Sequence, residues 1–204
     1  MKTSLPFQEL VAAFQSLPSV GPKTALRMVT HLLQHDRNAA HAIASTLHTA
    51  LDTLVHCTRC NTFTEATTQV CETCSDSQRD TRLLCIVESV ADQITVEQSL
   101  SYQGLYFVLM GKLSPLDGMG AEAFALPALL QRAQDPLLTE IIIATPFTTE
   151  GEATAHVIAQ KLNPLKTKGI RISRLAKGIP VGAELEYVDL PTLAHSLRER
   201  SAVL

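Results

Sequence analysis

Four cysteines, Cys57, Cys60, Cys71 and Cys74, recur as C-x2-C-x10-C-x2-C. Each C-x2-C loop brings two sulfurs to one point, and two such loops wrap one tetrahedral zinc ion. Four thiolates leave no open coordination position, so the spacing predicts one structural zinc per subunit and not a catalytic metal. Disulfides are the competing use, and a cytoplasmic chain disfavours them. The fifth cysteine, Cys85, lies in the apolar run LLCIV and reads as a small buried hydrophobe.

The stretch LPSVGPKTALRM at 17–28 carries a different chemistry. Pro22 suits the first turn of a helix, and Gly21 supplies the backbone freedom of a tight turn before it. On the helix that follows, Lys23, Arg27, Thr30 and Gln34 share one face, with Leu26, Val29 and Leu33 on an adjoining apolar face. The polar face begins where free backbone N–H groups and the helix dipole favour an anion. Gly21, Lys23 and Arg27 are therefore candidate phosphate contacts. The alternative is a bend between packed helices with solvated surface charges.

Three carboxylates form the third group. Glu88 directly follows the apolar run LLCIV, and Glu150 and Glu152 follow TEIIIATP after a short loop. If both runs are strands of one parallel sheet, their carboxyl ends share an edge and the acids converge there, facing a divalent cation or a basic partner. Thr149 with Glu152 also fits a helix capping box, so Glu152 stays open between capping and function.

The elements that must position these groups follow from periodicity. Residues 1–56 read as helical: Phe7, Leu10, Val11, Phe14 and Leu17 fall at helical spacing, as do Ile43, Leu47, Ala50 and Leu54 after a candidate N-cap at Asn38. Residues 57–79, rich in threonine and poor in large apolar side chains, need the metal in place of a core. From 80 to 175 the runs RLLCIVES, LYFVLMG, TEIIIATP and GIRISRLA read as strands, with helical segments near 91–99, 121–133 and 150–162 between them. Such alternation predicts a mainly parallel sheet covered by helices. Residues 176–204 carry a Gly/Pro loop, a short candidate strand and a closing helix.

Composition narrows the function. The 204 residues are 46% hydrophobic with a formal net charge of -3, so no global basic field exists and nucleic-acid binding must rest on a local patch or on patches gathered by oligomerisation. Only 4% of residues are aromatic and tryptophan is absent, which leaves little for a base-stacking platform and favours backbone contact. No apolar run has the length of a membrane span and no secretory h-region opens the chain, so a cytoplasmic location is expected.

LPSVGPKTALRM resembles the helix-hairpin-helix motif, which presents backbone amides to DNA phosphates, with Ser19 in place of the first hairpin glycine. The glutamate after one strand and the acids after a later one resemble the Toprim domain, although TPFTTEGE replaces the Asp-x-Asp pair of catalytic members. Neither does a tyrosine stand out as a nucleophile among Tyr102, Tyr106 and Tyr187. In order, the hairpin, the four cysteines with FTE soon after the second, GKLSPLDGMG at 111–120, EGEATA at 150–155 and KGIPVGAELEYVD at 177–189 resemble the RecR family of bacterial recombination mediators. The chain departs from the family pattern at Pro146 and Phe147, at Lys112 and at Ala183.

The resemblance implies a nucleoid-associated DNA-repair protein that acts with RecO and RecF to help load RecA onto single-stranded DNA. It further implies dimers or ring-like tetramers, DNA contacts at Gly21, Lys23 and Arg27, and a RecO-docking surface at Glu88, Glu150 and Glu152. The expected mechanism is non-enzymatic, a sequence-independent clamp on DNA. The alternatives are a Mg-dependent Toprim nuclease and a zinc-stabilised protein-interaction module.

Overall fold

The computed structural model describes residues 4–113 and 124–200. The chain divides into two compact units, Met1–Leu54 and Val55–Leu204.

The first unit is helical, with α1 at Leu5–Gln15, α2 at Pro22–Gln34 and α3 at Arg37–Thr53. Pro6 and Pro22 sit in the first turns of α1 and α2, where a missing N–H costs nothing. The cap of α3 is Asp36 and not Asn38: its carboxylate accepts from the Ala39 N–H at 2.8 Å. A charged acceptor at the helix start serves both the orphan donors and the dipole, and Asn38 falls inside the first turn. α2 packs against both neighbours and buries Ala25 and Val29 completely. The apolar spacing along α3 is present, but it is not core: Ile43 is 50% and Leu47 58% exposed.

The helical reading of residues 1–56 is corrected at its end. Leu54–His56 forms a short strand, β1, which pairs with β2 at Phe63–Glu65. This hairpin brackets the first cysteine pair; of the second, Cys74 lies in α4 at Glu72–Ser75 and Cys71 is the N-cap residue of that helix.

The sheet of the second unit holds β3 at Asp80–Val87, β4 at Gly104–Val108, β5 at Glu140–Ile143 and β6 at Arg171–Arg174, in the order β4-β3-β5-β6 and all parallel. Helices α5 at Val90–Gln98, α6 at Leu126–Arg132 and α7 at Thr149–Leu162 connect and cover it. Alternation along the strands builds two cores. Leu84, Ile86, Phe107 and Ile141 pack under Leu129, Ile158 and Leu162 of α6 and α7, while Cys85, Val87, Tyr106 and Val108 pack on the other face with Val90 and Val96 of α5. Burial on both faces is the reason these strands read as continuous apolar runs. Cys85 is 2% exposed, as expected of a small hydrophobe, and burial pushes its thiol up to about 12.

Beyond β6 the expected short strand is a 3-10 turn at Leu185–Tyr187, followed by α8 at Leu190–Arg198, capped by Asp189. Most of GKLSPLDGMG, and the start of the helical segment expected at 121–133, lie outside the described residues.

Candidate functional site

The hairpin between α1 and α2 places the left-handed residue at Ser19, with φ 64, and not at Gly21. Ser19 thus holds the conformation in which a glycine would sit without strain. Gly21 is extended, with φ -78 and ψ 169, and a Cβ there would meet nothing within 4 Å. Its contribution is open space at the start of α2, where a backbone can approach. No side chain caps that end, so the N–H groups of the first turn keep their capacity for an external acceptor. Lys23 and Arg27 are exposed, and neither forms an ion pair with a described residue. The helix start therefore combines unsatisfied donors, a positive dipole end and two uncommitted cations, which suits a phosphate.

The four cysteines meet as the spacing requires. Their sulfurs lie within 4.8 Å of one another, all are buried and none is in a disulfide. The turns that fold the first knuckle are tight: the Cys57 N–H donates to Thr62 O at 2.7 Å, the Asn61 N–H to Cys57 O at 2.9 Å, and Asn61 takes φ 64. Crowding sets the thiols against one another. The hydrogen bond between Cys60 and Cys71 pushes the Cys60 thiol up and holds the Cys71 thiol down, because two adjacent sulfurs cannot both ionise without a cation. Four buried sulfurs of this kind fit a tetrahedral ion with soft-ligand affinity, and zinc matches that donor set. The knuckle is tied to the sheet by Val108, whose N–H donates to Cys60 O at 2.8 Å and whose carbonyl accepts from Asn61 Nδ2 at 2.7 Å.

Strand order brings the acids together at a crevice. β3 connects outward to β4 and β5 outward to β6, so the carboxyl ends of β3 and β5 flank the point where the winding reverses. Glu88 follows β3, and Glu150 lies in the first turn of α7 after β5. Glu88 Oε2 is buried without a hydrogen-bond partner among the described residues. Burial pushes its carboxyl upward, Lys112 opposes that shift, and the nearby Asp92 and Glu150 reinforce it. Asp92 and Lys112 are members of this edge that sequence reasoning missed. Asp92 had a local signal as the partner of Ser89 in a capping box, and its Oδ2 accepts from the Ser89 N–H at 2.9 Å.

Glu152 has a different fate. The cap of α7 is Thr148, whose hydroxyl accepts from the Gly151 N–H at 3.1 Å, so the Thr149 capping box expected from sequence does not form. The helix begins one residue earlier than that box needs. The Glu152 carboxylate instead accepts from Arg174 Nη1 at 2.6 Å and Lys177 Nζ at 2.8 Å, and these cations hold it below the usual carboxylate range. Arg174 and Lys177 also lie over the Phe147 ring, each 4.7 Å from its centroid. The Pro-Phe departure thus gives these two cations an aromatic seat beside Glu152. Among the described residues, the four cysteines are the only group of three or more Cys, His, Asp or Glu placed to hold a metal ion.

A helical hairpin with an uncapped second helix, a four-cysteine knuckle and a doubly covered parallel sheet with an acidic switch point define a modular α/β protein of helix-hairpin-helix and Toprim type. Residues 7–51 match the family model described as RecR, helix-hairpin-helix, residues 82–176 match the Toprim domain, and residues 178–201 match RecR, C-terminal. The chain belongs to the RecR family, whose role is that of a recombination mediator in DNA repair. No helix among the described residues is long and apolar enough to cross a membrane.

Proposed function

We propose that this protein is a sequence-independent DNA clamp without enzymatic activity, which acts with RecO and RecF to help load RecA onto single-stranded DNA. The observation that carries the reading is the uncapped start of α2 with Lys23 and Arg27 exposed and unpaired beside it. Contacts of this kind position a backbone without reading bases. The net charge of -3 is compatible with such a grip because a dimer or ring-like tetramer multiplies a weak local site. Gly21, Lys23 and Arg27 hold phosphate, and Cys57, Cys60, Cys71 and Cys74 hold one structural zinc per subunit. Glu88 and Glu150 present negative charge to RecO. Glu152 contributes to that surface by fixing Arg174 and Lys177 next to it.

The test is a mobility shift of nicked and supercoiled plasmid with and without Mg2+. The expected result is a salt-sensitive shift with intact DNA, lost in a Lys23→Glu/Arg27→Glu variant that keeps its zinc and its oligomeric state. New nicks that disappear in Glu88→Ala would refute the non-enzymatic reading, and undiminished binding by the double variant would refute the hairpin assignment.

A further inference from the structure

The ridge on α2 does not stop at Arg27. His31 and His35 continue it at the same four-residue step, so Lys23, Arg27, His31 and His35 form a row winding slowly around the helix. Their rings are neighbours, with centroids 5.7 Å apart. Thr24, Arg27, Thr30, His31 and His35, together with Leu26 and Met28, line one open groove of about 660 Å³, and no carboxylate lines it. The row from Lys23 to His35 covers ~18 Å of helix axis at about 1.5 Å per residue. Over that distance one DNA strand passes about five phosphates.

We propose that His31 and His35 are additional DNA-backbone contacts, which extend the hairpin site along α2 and add charge to it as pH falls. The proposal rests on the hairpin reading above. Charge complementarity selects the occupant: the polar groups of the groove are the Arg27 guanidinium, the Thr24 and Thr30 hydroxyls and the two imidazoles, with no acid among them, and an imidazole offers an N–H donor when neutral and a full positive charge when protonated. The titratable groups on the helices packed against α2 are Glu9 of α1 and Arg37, His41, His48 and Asp52 of α3, and none of them lines the groove. Two of these are engaged elsewhere, since His48 pairs with Asp52 at 3.0 Å. Arg37 Nε donates to Leu33 O at 3.1 Å, and the adjoining Asp36 is occupied in capping α3. No acid therefore lines the groove beside the two imidazoles, and the adjoining Asp36 carboxylate is turned to the Ala39 N–H.

The experiment measures the affinity of the full-length, zinc-loaded protein for a fluorescent duplex as a function of salt at pH 6.0 and pH 8.0. Each phosphate contact adds about 0.9 to the slope of log affinity against log salt. The unaltered protein is expected to show a slope steeper at pH 6.0 by about 1 to 2 per engaged protomer, and a His31→Gln/His35→Gln variant is expected to show the same slope at both. Equal slopes in the unaltered protein, or an undiminished difference in the variant, would overturn the proposal. A histidine variant that loses its oligomeric state by sedimentation would also overturn it, since that result makes the groove an interface between protein copies. Lys23→Glu/Arg27→Glu, measured alongside, separates the two levels. If it abolishes binding at both pH values while the histidines have no effect, the hairpin reading stands and only the extension fails.

Discussion

Gly151 gives the sharpest test of how the acidic edge is held. It sits in the first turn of α7, and a Cβ built there would lie 2.1 Å from Pro146 O and 2.9 Å from Pro146 C. Both obstacles are backbone, and ordinary contact begins near 3.4 Å, so in Gly151→Ala the Pro146 carbonyl has to retreat by about 1.3 Å. That movement strains three interactions at once: the Thr148 cap on the Gly151 N–H at 3.1 Å, the Thr145 hydroxyl on Gly151 O at 2.9 Å, and the Arg174 contact to Pro146 O at 3.4 Å. Overpacking of this sort costs about 1 to 3 kcal/mol and a lost cap about 1 kcal/mol. At about 2 to 4 °C per kcal/mol for a domain of this size, a cost of roughly 2 to 4 kcal/mol predicts a fall in Tm of roughly 4 to 16 °C. The assay is near-ultraviolet circular dichroism. Tryptophan is absent, and Tyr102 and Tyr106 pack edge to face at 5.1 Å on the sheet, so their signal follows this unit. A Tm within about 2 °C of the unaltered protein would show that the loop yields freely and that the Pro146 contact fixes nothing.

Two further outcomes are expected. Because burial raises the Glu88 carboxyl in the folded state, its ionisation opposes folding above the ordinary value of 4.5. Stability is lost as pH rises through the window between that value and the folded one. Glu88→Gln is therefore predicted to raise Tm at pH 7, with the gain vanishing below about pH 4.5, while RecO affinity falls; a pH-independent Tm difference on thermal scans would contradict the linkage. Removal of the metal with a strong chelator should unfold the 57–79 segment and release one zinc per chain, read by a colorimetric zinc assay together with proteolysis. Structural zinc contributes about 10 to 16 kcal/mol in small zinc modules, so a chelated protein that keeps its protease resistance would exclude a structural ion.

Much of this architecture is legible in the residues, for reasons that differ by element. The cysteine knuckle is legible because metal geometry fixes ligand spacing along the chain, and β3, β4 and β5 because burial on both faces leaves little polar alternation to confuse them. What escapes sequence is settled at longer range or by a single residue of register. Glu152 finds Arg174 and Lys177 more than twenty residues away, and no local pattern announces that pairing. The α7 cap falls on Thr148 and not Thr149 because both are threonines and only the helix start distinguishes them. The β1-β2 pair is too short for periodicity to register. The stripe on α3 shows the converse: Ile43 and Leu47 have core spacing, yet within this chain they face outward. Ala183, where the family pattern has glycine, causes no strain, since Gly182 next to it takes the positive φ of 85.

The hydrogen bonds between the cysteine knuckle and Val108 give the metal a second consequence, for solubility. Strand order leaves β4 at the margin of the sheet, and its sequence GLYFV is apolar and buried throughout. A margin of that kind is a template on which another chain's strand can add. Cys60 O and Asn61 Nδ2 occupy both backbone groups of Val108 and cover the end of that template. A chain deprived of its cation therefore loses more than a local fold, because it uncovers a sticky border. Its failure should depend on protein concentration, appearing as aggregation in crowded, metal-poor conditions and as simple loosening in dilute ones.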